Sequence, residues 1–235
     1  MITQPIKYHG GKHYLAAWLH GLAPSSYVHR VHVFAGGLGE FWTWPHEDVS
    51  EVVNDVYGHV ANFYWVLRDP VLFAKFERLA SVQPLSQEDW EAARQALPDG
   101  EPERPDVDAA FAFFVAVRMS RQGLMRDFAT LSRNRTRRGM NEQASAWLSA
   151  VDGLRDVHER LSRVAIIRDD FERVIQQQDG PHTLFYCDPP YLAETRVTIG
   201  DYAREFSAAD HEGRECYRRY CKAQGRPCRF MRERD

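Results

Sequence analysis

Cysteine is scarce in this 235-residue chain, and its placement excludes more than its number does. Cys187, Cys216, Cys221 and Cys228 form no Cys-x-x-Cys pair, so neither a disulfide framework nor an ordinary zinc site is indicated. Long apolar runs are also missing. No stretch reaches the roughly 18 residues that a membrane span requires, and Met1-Ile2-Thr3-Gln4-Pro5 has no signal-peptide core. A cytoplasmic protein is expected. An excess of positive charge is lacking too: the net charge is −3, so any binding of nucleic acid must come from local charge rather than the total. From Glu212 to Asp235 there is no Leu, Ile or Val, while Arg214, Arg218, Arg219, Lys222, Arg226, Arg229, Arg232 and Arg234 crowd together. Such a tail reads as a solvated basic segment that builds no strand, with truncation or a shifted reading frame as its origin.

What remains is the composition of a folded globular protein, 44% hydrophobic and 27% charged. The segment Ser26 to Phe34 reads as a strand, and Gly36-Gly37-Leu38-Gly39 follows it as a turn into an apolar helix start. Glu51-Val52-Val53-Asn54-Asp55 is a second strand, after which Val56, Val60, Phe63, Tyr64 and Leu67 recur at helical spacing. Val164 to Ile167 and Leu184 to Cys187 are the third and fourth strands. Strands alternating with helices predict a mostly parallel α/β sheet. Between residues 70 and 162 the pattern is helical: Ser86 starts one helix, Ala109 to Met119 is apolar on most sides, and Asn141 to Leu161 is again helical. Residues 1–69 and 163–211 are therefore read as one catalytic domain, 70–162 as a helical insert and 212–235 as a tail.

Asp188-Pro189-Pro190-Tyr191 closes the fourth strand. The prolines fix φ and supply no N–H, which leaves the carbonyls here open to accept. A carboxylate, a carbonyl and a flat ring at one strand end suit the exocyclic amino group of a nucleobase taken out of its stack. An ordinary Pro-Pro turn is the plainer alternative. Lys7-Tyr8-His9-Gly10-Gly11-Lys12 is not a triphosphate P-loop, since His13 stands where Ser or Thr is required, and it serves as well as a surface turn. Phe34-Ala35-Gly36-Gly37-Leu38-Gly39 can lay an adenosyl-type cofactor against backbone or be a lone glycine turn. Asp55 suits ribose hydroxyls and a helix N-cap equally. Arg118, Arg121, Arg126, Arg133, Arg135, Arg137 and Arg138 fall within 21 residues that hold one acid, Asp127. Guanidinium groups with so few balancing acids point to phosphate and guanine contacts in DNA.

Together, Lys-Tyr-x-Gly-Gly-Lys, Phe-Ala-Gly-Gly, Asn-Asp, Asp-Asp-Phe and Asp-Pro-Pro-Tyr, in this order, resemble the Dam-type (D12 class, α-group) DNA adenine-N6 methyltransferases over roughly residues 5 to 211. The stretch from Ser120 to Trp147 looks like the version carried by phage and prophage members. The resemblance implies a Rossmann-like methyltransferase sheet with a helical target-recognition insert, its last strands missing here. It implies S-adenosylmethionine as methyl donor and double-stranded DNA with a flipped adenine as partner; no membrane association is expected from the missing apolar runs, and a monomer is the simplest expectation although the sequence does not report oligomeric state. By motif position Tyr8, Lys12, Phe34, Gly36, Gly37, Gly39, Asp55, Asp170, Phe171 and Asp188 would line the cofactor. Asp188 and Pro189 would hold the target amino group, with Pro190 shaping the loop and Tyr191 stacking on the base. Family members usually carry an acid just before the Pro-Phe of the glycine motif, whereas His32 and Val33 stand there. Rival readings are an inactive nucleic-acid-binding remnant, and a methyltransferase of glutamine amides or other planar amines.

Overall fold

The computed structural model describes residues 2–8, 11, 13–24, 26–97, 100–189 and 228–230, the last three by chain course only. A short helix α1 (Ala16–Leu22) precedes strand β1 (His29–His32), which leads into the glycine turn. Strand β2 (Ser50–Asn54) and helix α2 (Gly58–Arg68) follow. Five further helices and a hairpin come before the sheet resumes: α3 (Pro70–Val82), α4 (Gln87–Ala96), α5 (Val107–Arg118), strands β3 (Thr136–Arg137) and β4 (Met140–Asn141), α6 (Glu142–Asp152) and α7 (Leu154–Leu161). Strand β5 (Ala165–Ile167), helix α8 (Phe171–Gln178), strand β6 (Thr183–Cys187) and strand β7 (Cys228–Phe230) complete the order.

Local chemistry sets these boundaries. Asp69 caps α3 by accepting from the Val71 and Leu72 amides, each at 2.9 Å, with Pro70 in the first turn where its missing N–H costs nothing. Ser86 caps α4 and Asp106 caps α5 in the same manner. Helix α5 is apolar on nearly all sides and is buried accordingly, its Phe113 and Phe114 meeting Phe63 and Phe76 of α2 and α3. The helical reading of Asn141 to Leu161 needs one correction: the segment breaks at Gly153 into α6 and α7.

The main sheet has the order β5-β2-β1-β6-β7, and every neighbouring pair is parallel. This is the mostly parallel α/β arrangement that alternating strands and helices imply. Val31, Val33, Val52 and Phe185 face Phe171, Val174 and Ile175 of α8 on one side. On the other side Val53 joins α2, α3, α5, α6 and α7 in one core, so the inserted helices share their packing with the sheet. Arg30 of β1 is wholly buried on that face, where Glu51 of β2 pairs with it and with Arg160 of α7 (Arg160 Nη2 to Glu51 Oε1, 2.7 Å). The ion cluster ties the end of the insert to the sheet.

Strand β7 corrects the expectation that the tail adds nothing to the sheet. Phe185, Tyr186 and Cys187 pair in register with Cys228, Arg229 and Phe230. Ladder bonds belong to the main chain, so a segment without Leu, Ile or Val can still cover an edge if it reaches one.

Candidate functional site

Four strand ends carry the candidate residues to one edge of the sheet. β1 leads to the glycine turn, β2 to Asp55, β5 to Asp169-Asp170-Phe171 and β6 to Asp188. Because all four run parallel, their carboxyl ends coincide, and the strand order reverses between β1 and β6. Open α/β sheets bind ligands in the crevice at such a switch point. The glycine turn and Asp188 flank it directly.

The turn is held at several points. Gly36 N donates to Asp55 Oδ2 (2.8 Å), Ala35 N to the Asn54 carbonyl (2.8 Å), and the Tyr64 hydroxyl to the Gly36 carbonyl (2.8 Å). Gly36 has φ +46°, and a Cβ there would lie 2.9 Å from the Tyr8 ring. At Gly37 a Cβ would lie 2.8 Å from the Tyr8 Cβ, besides displacing the movable Gln4 amide. Glycine is therefore required sterically, and the reason is that Tyr8 lies against the turn. Sequence reasoning grouped these two motifs by resemblance; the structure puts them in contact. Gly39 is buried at the end of the turn.

Asp55 Oδ1 accepts from Tyr57 N at 2.9 Å, so its two oxygens each hold one backbone amide; the N-cap position of α2 is taken by Tyr57, which corrects the N-cap alternative for Asp55. Burial pushes its carboxyl up to about 6 against the two hydrogen bonds, and the Glu101 charge adds to the rise. Asp170 caps α8 by accepting from Glu172 N (2.9 Å). Phe171, the first residue of α8, faces Phe34 at 5.7 Å between ring centroids, which forms one aromatic wall. Asp188 is half-buried and Pro189 buried just beyond β6. Lys12, Pro190 and Tyr191 lie outside the described residues, as do Cys216 and Cys221.

The arginines divide. Arg121, Arg126, Arg133, Arg135, Arg137 and Arg138 are exposed, and the β3–β4 hairpin presents the last three of them. Its two-residue turn, Arg138 (φ 56°) and Gly139 (φ 75°), has the left-handed backbone that tight hairpins use. Arg135 pairs with Glu142 at 3.4 Å, and Arg138 with Asp152 at 3.5 Å. Arg118 departs from the expected DNA-contacting set. It points inward, donates to the Ala146 carbonyl (3.1 Å), and burial pulls its pKa down to about 10. A buried guanidinium at a helix C-terminus looks the same as an exposed one in sequence.

His32 and Glu40 were not read as partners from sequence. His32, which stands where the family's acid is usual, is wholly buried with Nδ1 3.1 Å from Glu40 Oε1. Burial holds the imidazole below its ordinary value even though Glu40 favours the charged form. Among the described residues no helix is long and apolar enough to cross a membrane.

The family model for D12 class N6 adenine-specific DNA methyltransferases matches residues 8–232. A search of curated proteins gives no match.

Proposed function

The chain belongs to the D12 class of N6 adenine-specific DNA methyltransferases, which methylate adenine in DNA with S-adenosylmethionine as donor; from that premise we propose which of its residues form the site. The carrying observation is the convergence of the glycine turn, Asp55, the Phe34–Phe171 wall and Asp188 on the switch-point crevice.

The residues at these strand ends suit the donor. Gly36 and Gly37 let Tyr8 close on the turn, Asp55 keeps lone pairs beyond the two its amides use, and the Phe34–Phe171 pair offers apolar surface to an adenine. Tyr8, Lys12, Phe34, Gly36, Gly37 and Gly39 would hold the methionine end, Asp55 the ribose hydroxyls, and Asp170 with Phe171 the adenine. When bound, the donor supplies an electrophilic methyl group on its sulfonium. Asp188 and the Pro189 carbonyl accept hydrogen bonds from the target amino group and aim its lone pair at that methyl. Tyr191 stacks on the flipped base. Asp188 forms no covalent bond; orientation and fixed charge supply the catalysis.

Helices α3–α7 and the β3–β4 hairpin form the DNA-recognition unit, with the six exposed arginines on phosphates and base edges. A single copy in the cytoplasm suffices for this chemistry.

The test is transfer of labelled methyl to DNA by Asp188→Ala. Removing a hydrogen bond made in the transition state costs about 2.7–4 kcal/mol, or roughly 10²–10³ in turnover. DNA affinity should stay within a few-fold. Near-normal turnover would remove Asp188 from the site.

A further inference from the structure

We propose that Asn54 is a positioning residue for binding of the methyl donor: its side-chain amide fastens the glycine turn after β1 and the Asp169–Phe171 segment after β5 to the strand that ends at Asp55. The proposal rests on those segments forming the cofactor site.

The ladder between β1 and β2 ends at His32 opposite Val53, and the ladder between β2 and β5 ends at Asn54 opposite Ile167. Beyond those positions a last backbone bond remains on each side, Ala35 N to the Asn54 carbonyl (2.8 Å) and Asp55 N to the Ile167 carbonyl (3.4 Å), before the chains enter their separate turns. Asn54, only 1% exposed, takes over where the ladders stop. Its Nδ2 donates to the Val33 carbonyl on one side (3.0 Å) and to the Asp169 carbonyl on the other (3.1 Å). Its Oδ1 accepts from Asp169 N at 2.9 Å. Two carbonyls and one N–H as partners fix which end of the amide is nitrogen.

The side chain therefore spans both gaps beside β2, and each bond ends next to a candidate cofactor segment. Val33 directly precedes Phe34 of the turn, and Asp169 directly precedes Asp170 and Phe171. The Asn54 carbonyl adds a fourth bond, from Ala35 N. Only an amide offers two donors and an acceptor at this reach. A carboxylate of the same shape has no donor and would face two carbonyl oxygens, while an alanine leaves the buried Val33 carbonyl and the half-buried Asp169 carbonyl without that partner. With both amide hydrogens already committed to backbone, Asn54 acts through the loops rather than on the reactants.

The test compares Asn54→Asp and Asn54→Ala with the unaltered protein, using active-site-titrated enzyme at saturating DNA. KM for S-adenosylmethionine should rise by about tenfold or more, the scale of removing one or two buried hydrogen bonds, with kcat at saturating donor little changed. A residue that merely stabilises the fold would lower Tm and the active fraction and leave KM alone; a KM within twofold in a folded variant overturns the proposal. Asp55→Ala is the control. If it too leaves KM unchanged, the site assignment has failed; if it raises KM and the Asn54 variants do not, positioning alone has failed. Should neither variant fold, amide exchange in the unaltered protein decides. Added S-adenosylmethionine should slow exchange at Ala35 and Asp169 together, and an unchanged Asp169 overturns the inference.

Discussion

Binding of S-adenosylmethionine should weaken as pH falls through about 6, and Asp55 is the group responsible. Ribose hydroxyls donate hydrogen bonds, so the ionised carboxylate is the better acceptor. Burial raises the Asp55 pKa above the ordinary carboxylate range, and the amides of Gly36 and Tyr57 offset only part of that. The sign follows directly: above about 6 Asp55 is ionised and binding is strong, and below it the proton must be displaced. One pH unit on the acid side leaves roughly a tenth of the sites ionised, so the Kd at pH 5 should exceed that at pH 7 by about tenfold, or ~1.4 kcal/mol. Tyr64, whose hydroxyl bonds Gly36, does not titrate in this window, since burial drives its pKa well above the ordinary value. Isothermal titration from pH 5 to pH 8 reads the profile, and Asp55→Ala is its control. A flat profile in the unaltered protein, or the same slope in the variant, refutes the reasoning.

Glu51→Ala should cost about 3–5 kcal/mol in urea unfolding, because it leaves Arg30 and Arg160 buried beside each other without their shared acid. Arg30 keeps the Tyr27 hydroxyl and Pro45 carbonyl and Arg160 keeps the Phe41 ring at 4.1 Å, so a loss under about 1 kcal/mol would show that these suffice. Burial pushes the Glu51 pKa up but the two arginines outweigh it, so this stabilisation is present above the unfolded pKa near ~4.3 and fades as pH falls through the lower folded value. Replacing Arg135, Arg137 and Arg138 together should weaken DNA binding and reduce its salt slope by roughly 0.9 for each phosphate no longer neutralised; an unaltered slope makes the hairpin a solvated face. Removing residues 228–235 uncovers the β6 edge, and light scattering should detect more self-association; unchanged scattering would show that the edge needs no cover.

Much of the fold was legible in the chain because its signals are local. Alternating apolar strands, the cap at Ser86 and the mostly apolar α5 each depend on near neighbours, and they place the sheet and helices without any long-range information, whereas the caps at Asp69 and Asp106 were seen only in the structure. The candidate site was legible as a set of motifs for the same reason: glycines after β1, an acid after β2 and an acid with prolines after β6 each report a strand end. Tertiary structure decided what those residues do to one another. Tyr8 makes glycine obligatory at position 36, and Arg118 turns inward while its neighbours stay exposed. Asn54 crosses two gaps to positions 33 and 169, and the tail pairs with β6 although its composition argues against a strand. Periodicity fixes which face a residue takes along its own element. Which distant group waits on that face depends on strand order and register, and these are set only when the whole sheet assembles.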